Sequence, residues 1–87
     1  MRFSHILVEQ KYEAEDLLRH LKKGVTFPEL AKKYSKCTSA KDGGDLGDLE
    51  LKRLDPDFRE IAETLQPNQT SEAVRTKFGY HLILRTQ

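Results

Sequence analysis

His5 and His81 are the residues of this chain best suited to do chemistry. Each is set into a β-rich apolar run, Phe3-Ser4-His5-Ile6-Leu7-Val8 near one end and Phe78-Gly79-Tyr80-His81-Leu82-Ile83-Leu84 near the other. If the two runs pair as neighbouring strands, both imidazoles meet near the centre of a sheet. A buried imidazole needs hydrogen-bond partners to offset its desolvation. Two of them, with Thr76 just upstream of His81, point to a buried polar network. The plainer alternative is a pair of core histidines satisfied by backbone or hydroxyl groups. Zinc would require further Cys, His, Asp or Glu ligands converging. The third histidine, His20, falls among the solvated residues of a helix, so no metal and no other cofactor is expected.

Cys37 together with a histidine raises the possibility of a cysteine nucleophile. A single cysteine is more often a small buried hydrophobe, and that reading stands beside the nucleophilic one. Gly43-Gly44-Asp45-Leu46-Gly47 superficially resembles a phosphate-cradling loop. It lacks the following Lys-Ser/Thr and runs into a strand, so a tight turn is expected. Arg19, Lys22, Lys23, Lys32, Lys33, Lys36 and Lys41 form a basic stretch. Solvated helix faces explain it; the alternative is weak contact with an anionic membrane or nucleic acid.

The elements that must position these groups can be read from periodicity. Residues 3–8 form a strand. Residues 12–23 switch to helical period, with Tyr12, Leu17, Leu18 and Leu21 as the apolar stripe. Acids fill the first half of this helix and bases the last, as its dipole favours, and Gly24 ends it. Thr26 is an N-cap with Glu29 as capping-box mate and Pro28 in the first turn, so residues 27–35 form a second helix burying Phe27, Leu30, Ala31 and Tyr34. A loop rich in turn residues follows, then a half-exposed strand from Leu46 to Leu51. Asp55 caps a helix with Pro56 at its first position, reaching about Leu65, with Phe58, Ile61, Ala62 and Leu65 on one face. After a turn at Pro67-Asn68-Gln69, residues 71–76 and 79–85 make two strands joined tightly at Lys77-Phe78-Gly79. The order β-α-α-short helix/turn-β-α-β-β defines an α+β fold on a small sheet.

The chain has 87 residues and a formal charge of +1, which suits one domain spanning 1–87 and implies no bulk attraction to nucleic acid. Cys37 is the only cysteine, so no internal disulfide can form. A reducing compartment is expected. No stretch approaches the ~20 apolar residues of a membrane span, and the first residues show no signal-peptide core. The expectation is a small cytoplasmic monomer, or a domain of a longer parent.

The residues carry a resemblance to a known family. His5-Ile6-Leu7-Val8, then Phe27 and Leu30-Ala31 ahead of Tyr34-Ser35, then Cys37-Thr38-Ser39, Gly43-Gly44-Asp45-Leu46-Gly47, Phe58 and Thr76-Lys77-Phe78-Gly79-Tyr80-His81 occur in order along nearly the whole chain. This pattern resembles the parvulin family of peptidyl-prolyl cis/trans isomerases. The resemblance implies a four-stranded antiparallel sheet surrounded by helices. It implies that His5 and His81 are the paired histidines of the sheet, hydrogen-bonded through Thr76, and that Cys37 lies beside the substrate where other members carry Cys or Asp. Leu46, Leu54 and Phe58 would hold the substrate proline ring, with Phe78 at the edge. Two departures stand out. Lys52-Arg53-Leu54 replaces the Gly-Gln-Met of many members, and the segment after the first strand reads Glu9-Gln10-Lys11-Tyr12-Glu13, without the basic cluster of phosphate-directed members.

The resemblance therefore implies non-covalent isomerisation of X-Pro bonds in polypeptide clients, assisting folding and without phosphate direction. The alternative is a non-catalytic module whose groove merely holds proline peptides. A cysteine hydrolase is the third possibility. Contact with anionic membranes through Lys22, Lys23, Lys32, Lys33 and Lys36 is expected to be weak at most.

Overall fold

The computed structural model describes residues 1–48 and 50–87, and of Leu51 the backbone alone. Strand β1 (Arg2–Val8) leads into α1 (Lys11–Lys22) and α2 (Phe27–Tyr34); a 3₁₀ turn (Thr38–Asp42) precedes β2 (Asp45–Asp48), and a second one (Leu51–Arg53) precedes α3 (Pro56–Ala62), β3 (Val74–Thr76) and β4 (Gly79–Arg85). The sheet is antiparallel throughout, in the order β2-β1-β4-β3. The first and last strands thus occupy its centre. Both are covered on two faces, which is why they read as continuous apolar runs.

One face of the sheet presents Ile6, Val8 and Leu82 to Ala14 and Leu17 of α1 and to Phe27, Leu30 and Ala31 of α2. The opposite face packs Phe3 and Ile83 against Phe58 and Ala62 of α3, with Leu65 and Val74 closing the cluster. Alternation along β1 puts His5 on this second face, two residues after Phe3.

Several elements differ from the sequence reading, each for a local reason. The apolar stripes of α1 and α2 are narrower than expected: Tyr12 is 69% exposed and Tyr34 42%. At α2, Thr26 Oγ1 accepts from the Glu29 amide at 3.4 Å as expected. The return arm from a Glu side chain is instead found at α1, where the Gln10 amide donates to Glu13 Oε1 at 3.0 Å. Helix α3 stops at Ala62, not Leu65, because the Thr64 hydroxyl donates to the Ile61 carbonyl at 2.7 Å and the chain tightens into i→i+3 bonds. Leu65 stays buried nonetheless. The expected strand 71–76 shrinks to 74–76. Ser71 takes the place of strand backbone there: its amide donates to the Ile83 carbonyl at 2.8 Å and its hydroxyl accepts from the Ile83 amide at 3.0 Å. The strand expected at 46–51 spans Asp45–Asp48, and Leu49 lies outside the described residues.

Candidate active site

The pairing of β1 with β4 sets Leu7 opposite His81 and His5 opposite Ile83. The two histidines are therefore diagonal neighbours on one face, close enough for side chains to meet. Their Nδ1 atoms are 3.0 Å apart, their rings stack with centroids 5.2 Å apart, and His81 Nε2 lies 2.8 Å from Thr76 Oγ1. Thr76 reaches this position because the tight β3–β4 turn folds it back, with its hydroxyl oxygen accepting the Phe78 amide at 3.1 Å. All three side chains are buried.

The bonding pattern assigns the protons. One hydrogen must lie between the two Nδ1 atoms. If the Thr76 hydroxyl donates to His81 Nε2, His81 carries its proton on Nδ1 and donates to His5, whose own proton sits on Nε2. The only group then without a mate is His5 Nε2, which is buried and unpartnered. The reverse arrangement strands both the Thr76 hydroxyl proton and the His5 Nε2 lone pair. The first assignment is the better satisfied, and in it both rings are neutral.

Electrostatics favours the same state. Burial, and then the neighbouring His81, lower the His5 pKa to about 4. Burial also lowers that of His81, opposed by the Asp55 carboxylate. The sign for stability follows. The unfolded chain gains protons first as pH falls, so this contribution is complete above the ordinary histidine value of 6.5 and is lost progressively down to about 4. The loss assigned to His5 is on the order of 3 kcal/mol. Urea titrations at stepped pH should show the decline. A His5 ring that titrates near 6.5 by NMR would contradict it.

Beside the histidines opens a cleft of about 320 Å³, lined by His5, Leu7, Cys37, Leu46, Leu54, Asp55, Phe58, Phe78 and His81. Phe58 packs edge-on to both imidazoles, with ring centroids 5.8 Å from His5 and 5.4 Å from His81. Phe78 stands at the mouth, 62% exposed. All expected pocket residues, Leu46, Leu54, Phe58 and Phe78, thus come together around the cleft, with Cys37 on its wall; Thr76 stands behind His81. Two lining residues escaped the sequence reading. Leu7 could have been found from its two-residue offset from His5 on β1. From the sequence Asp55 reads only as the cap of α3, which it also is, accepting the Asp57 amide at 3.0 Å.

Ser35 carries Cys37 to the cleft. Its hydroxyl accepts from the Leu7 amide at 3.1 Å and the Cys37 amide at 3.3 Å, tying the end of α2 to β1. Burial raises the Cys37 pKa, but side-chain and backbone groups of Ser39 and Thr38 outweigh it, and the thiol titrates below its ordinary value. The reaction that the family resemblance implies, rotation about an amide, needs no covalent adduct, so Cys37→Ser and Cys37→Asp should keep activity within the ~10²-fold that marks loss of an essential acid–base group. Complete inactivity of a folded variant, or a trapped thioester, would overturn this.

Among the described residues no group of three or more His, Cys, Asp or Glu side chains is placed to hold a metal ion.

The rotamase family profile, the PPIC-type PPIASE domain, matches residues 5–87. The chain is 43% identical over 88 aligned positions to the foldase protein PrsA of Bacillus subtilis, covering 100% of this chain and 30% of that protein. The crystal structure of PrsA from Bacillus subtilis superimposes with a TM-score of 0.97, covering 34% of that chain. The solution structure of NmPin, the parvuline of Nitrosopumilus maritimus, gives a TM-score of 0.91 at 38% identity and covers 100% of this chain and 95% of that one. The chain therefore spans roughly a third of the PrsA protein it matches and nearly all of NmPin. With the profile covering almost every residue and the fold superimposing along the whole chain, this chain belongs to the parvulins, the PPIC-type peptidyl-prolyl cis/trans isomerase family.

Proposed function

We propose that the chain accelerates cis/trans rotation of X-Pro bonds in polypeptide clients and so assists their folding. The observation that carries this reading is the apolar cleft itself, set against a neutral His–His–Thr network. The uncatalysed rotation crosses a barrier of ~18–20 kcal/mol because amide resonance is lost in the twisted state. No bond forms or breaks. A catalyst needs to grip the proline ring, exclude water from the amide and favour the twisted geometry. Leu46, Leu54 and Phe58 supply apolar walls of that kind. The histidines and Thr76 act as positioning residues, holding the floor of the cleft rigid; with His5 uncharged at neutral pH they exchange no proton with substrate.

The test is exchange spectroscopy on a short X-Pro peptide with catalytic protein and no added metal or nucleotide. Faster exchange is expected. Binding with unchanged exchange would leave the non-catalytic module, and covalent chemistry at Cys37 would revive the hydrolase.

The preferred clients carry no phosphate. A dianionic phosphate needs forked Arg or Lys donors converging on its oxygens. Lys41 is exposed in the 3₁₀ turn and does not line the cleft. The groove adjoining Phe78 does hold Arg75 and Lys77, but also Glu9, and the Lys77 ammonium lies 5.2 Å over the Phe78 ring. One peptide, with and without phosphate before proline, should be turned over at least as well unphosphorylated; a several-fold advantage for the phosphorylated form would refute this. A monomer in a reducing, cytoplasmic setting, with weak salt-sensitive contact to anionic surfaces through exposed Lys22, Lys23, Lys32, Lys33 and Lys36, completes the proposal. Its supports are the lone thiol and the solvent exposure of those lysines.

A further inference from the structure

Tyr12 and Tyr34, expected in the core, instead flank a cavity of about 140 Å³ on the other side of the sheet from the histidines. Val8 and Leu17 form its apolar interior, and Glu13 and Asp16 complete the lining. Leu7 faces the isomerase cleft and Val8 this cavity, so the two sites share consecutive residues of β1 and open on opposite faces.

We propose that this cavity is a second client-binding site, which takes one arginine or lysine side chain of an extended polypeptide. Three features fit a cationic side chain. The apolar interior suits the methylene stem, as long basic side chains bury their stems and leave the charge at the surface. Two exposed tyrosine rings offer π-faces to the cation. Two carboxylates stand around it with the complementary charge. Lys33, which does not line the cavity, holds its Nζ 5.7 Å from the centroid of the Tyr34 ring, so Tyr12 is the ring left for an incoming cation. The acids are not idle: Glu13 Oε1 accepts the Gln10 amide, and Asp16 pairs with Arg19 at 2.9 Å and faces His20 at 3.7 Å. These ion pairs are largely exposed and so exchange readily with an incoming guanidinium. Arginine should bind better than lysine, because its planar fork can stack on tyrosine and bridge a carboxylate together.

For a folding catalyst the consequence is bivalency. A client seated in the cleft by proline and in the cavity by a basic residue dissociates more slowly than one held at either site, provided its linker spans the two.

The first measurement is a ¹H–¹⁵N titration with a short Gly/Ser peptide that carries one arginine and no proline. Shifts are expected at Tyr12, Glu13, Asp16, Leu17 and Tyr34, and none at Phe58 or His81. Tyr12→Ala should abolish them, Tyr12→Phe should retain them, and Arg19→Gln, which frees Asp16, should strengthen them. Equal shifts with glutamine in place of arginine, no shifts at all, or shifts that follow protein dilution without peptide would each overturn the proposal; the last would mean a second copy occupies the cavity. This measurement stands without catalysis. The second rests on the isomerase reading and compares proline peptides with and without an arginine about six to ten residues away, ~20–35 Å when extended. The arginine should lower KM about two- to fivefold, the factor of one exposed cation–π contact. Tyr12→Ala should remove that gain and leave kcat/KM on the arginine-free peptide unchanged. A KM gain that survives Tyr12→Ala would place the arginine elsewhere.

Discussion

Phe58→Ala should cost about 3–5 kcal/mol of stability and weaken proline-peptide binding at once. Phe58 is 5% exposed and packs within the core of Phe3, Ala62, Leu65, Val74 and Ile83. It is also a wall of the cleft and lies edge-on to both histidines. Removing the ring therefore opens a cavity in the core and loosens the imidazoles. The pocket role and the core role are not alternatives here, because one ring serves both. A typical domain holds only ~5–15 kcal/mol in reserve, so the variant should melt far below the parent. Phe58→Leu separates the two roles. It retains much of the buried volume at a smaller cost, yet it removes the flat aromatic surface, so binding should fall further than stability. Parallel thermal melts and peptide titrations decide the matter. Unaltered peptide affinity in a folded Phe58→Ala variant would take Phe58 out of the pocket.

Gly44→Ala should be nearly as severe, although it adds only one methyl group. The residue has φ of +83°, and a Cβ there would stand 2.4 Å from the carbonyl oxygen of His5 and 3.1 Å from Ala31 Cβ. The left-handed backbone costs about 1–2 kcal/mol for an L side chain. Relieving the clash by moving packed backbone adds ~1–3 kcal/mol. The strand that must move is β1 at His5, whose amide donates to the Gly44 carbonyl at 2.9 Å. The substitution should thus shift His5 against His81 and lower turnover beyond what the loss of folded protein explains. Activity per folded molecule, measured well below the melting point, tests this. Wild-type turnover and an unchanged His5 resonance would show that β1 accommodates the methyl group and that Gly44 is merely a turn residue.

The histidine network was legible in the sequence because β1 and β4 are central and covered on both faces, which writes a long apolar run into the chain. The two helices before the loop and the capped start of α3 were legible for the same kind of reason: Thr26, Asp55 and the two prolines are local signals with local causes. What failed was whatever tertiary contact decides. Tyr12 and Tyr34 sit at positions adjoining the buried stripe, and periodicity cannot tell a ring that enters a core from one that borders a cavity. The early end of α3 depends on a single Thr64 hydroxyl. The late start of β3 depends on Ser71 standing in for a backbone carbonyl, a choice made 12 residues away at Ile83. Leu46, Leu54, Phe58 and Phe78 belong to four separate segments. No spacing rule joins them, and it was the family resemblance that grouped them before the cleft did.

The adjacency of β1 and β4 also governs when this site can exist. The bond between the two imidazoles joins residues 76 positions apart. Such a closure brings a large entropic cost with no local contact to repay it early, and topologies dominated by distant pairings fold slowly. On a ribosome moving at ~5–20 residues per second, β1 emerges several seconds before β4 is made. Helices α1 and α2 can form meanwhile and β2 can pair one edge of β1, but the edge of β1 that faces β4 stays unpaired until that strand arrives. A nascent chain halted before Gly79 would hold neither the central ladder nor the histidine pair, so the candidate site is completed only after β4 has been made.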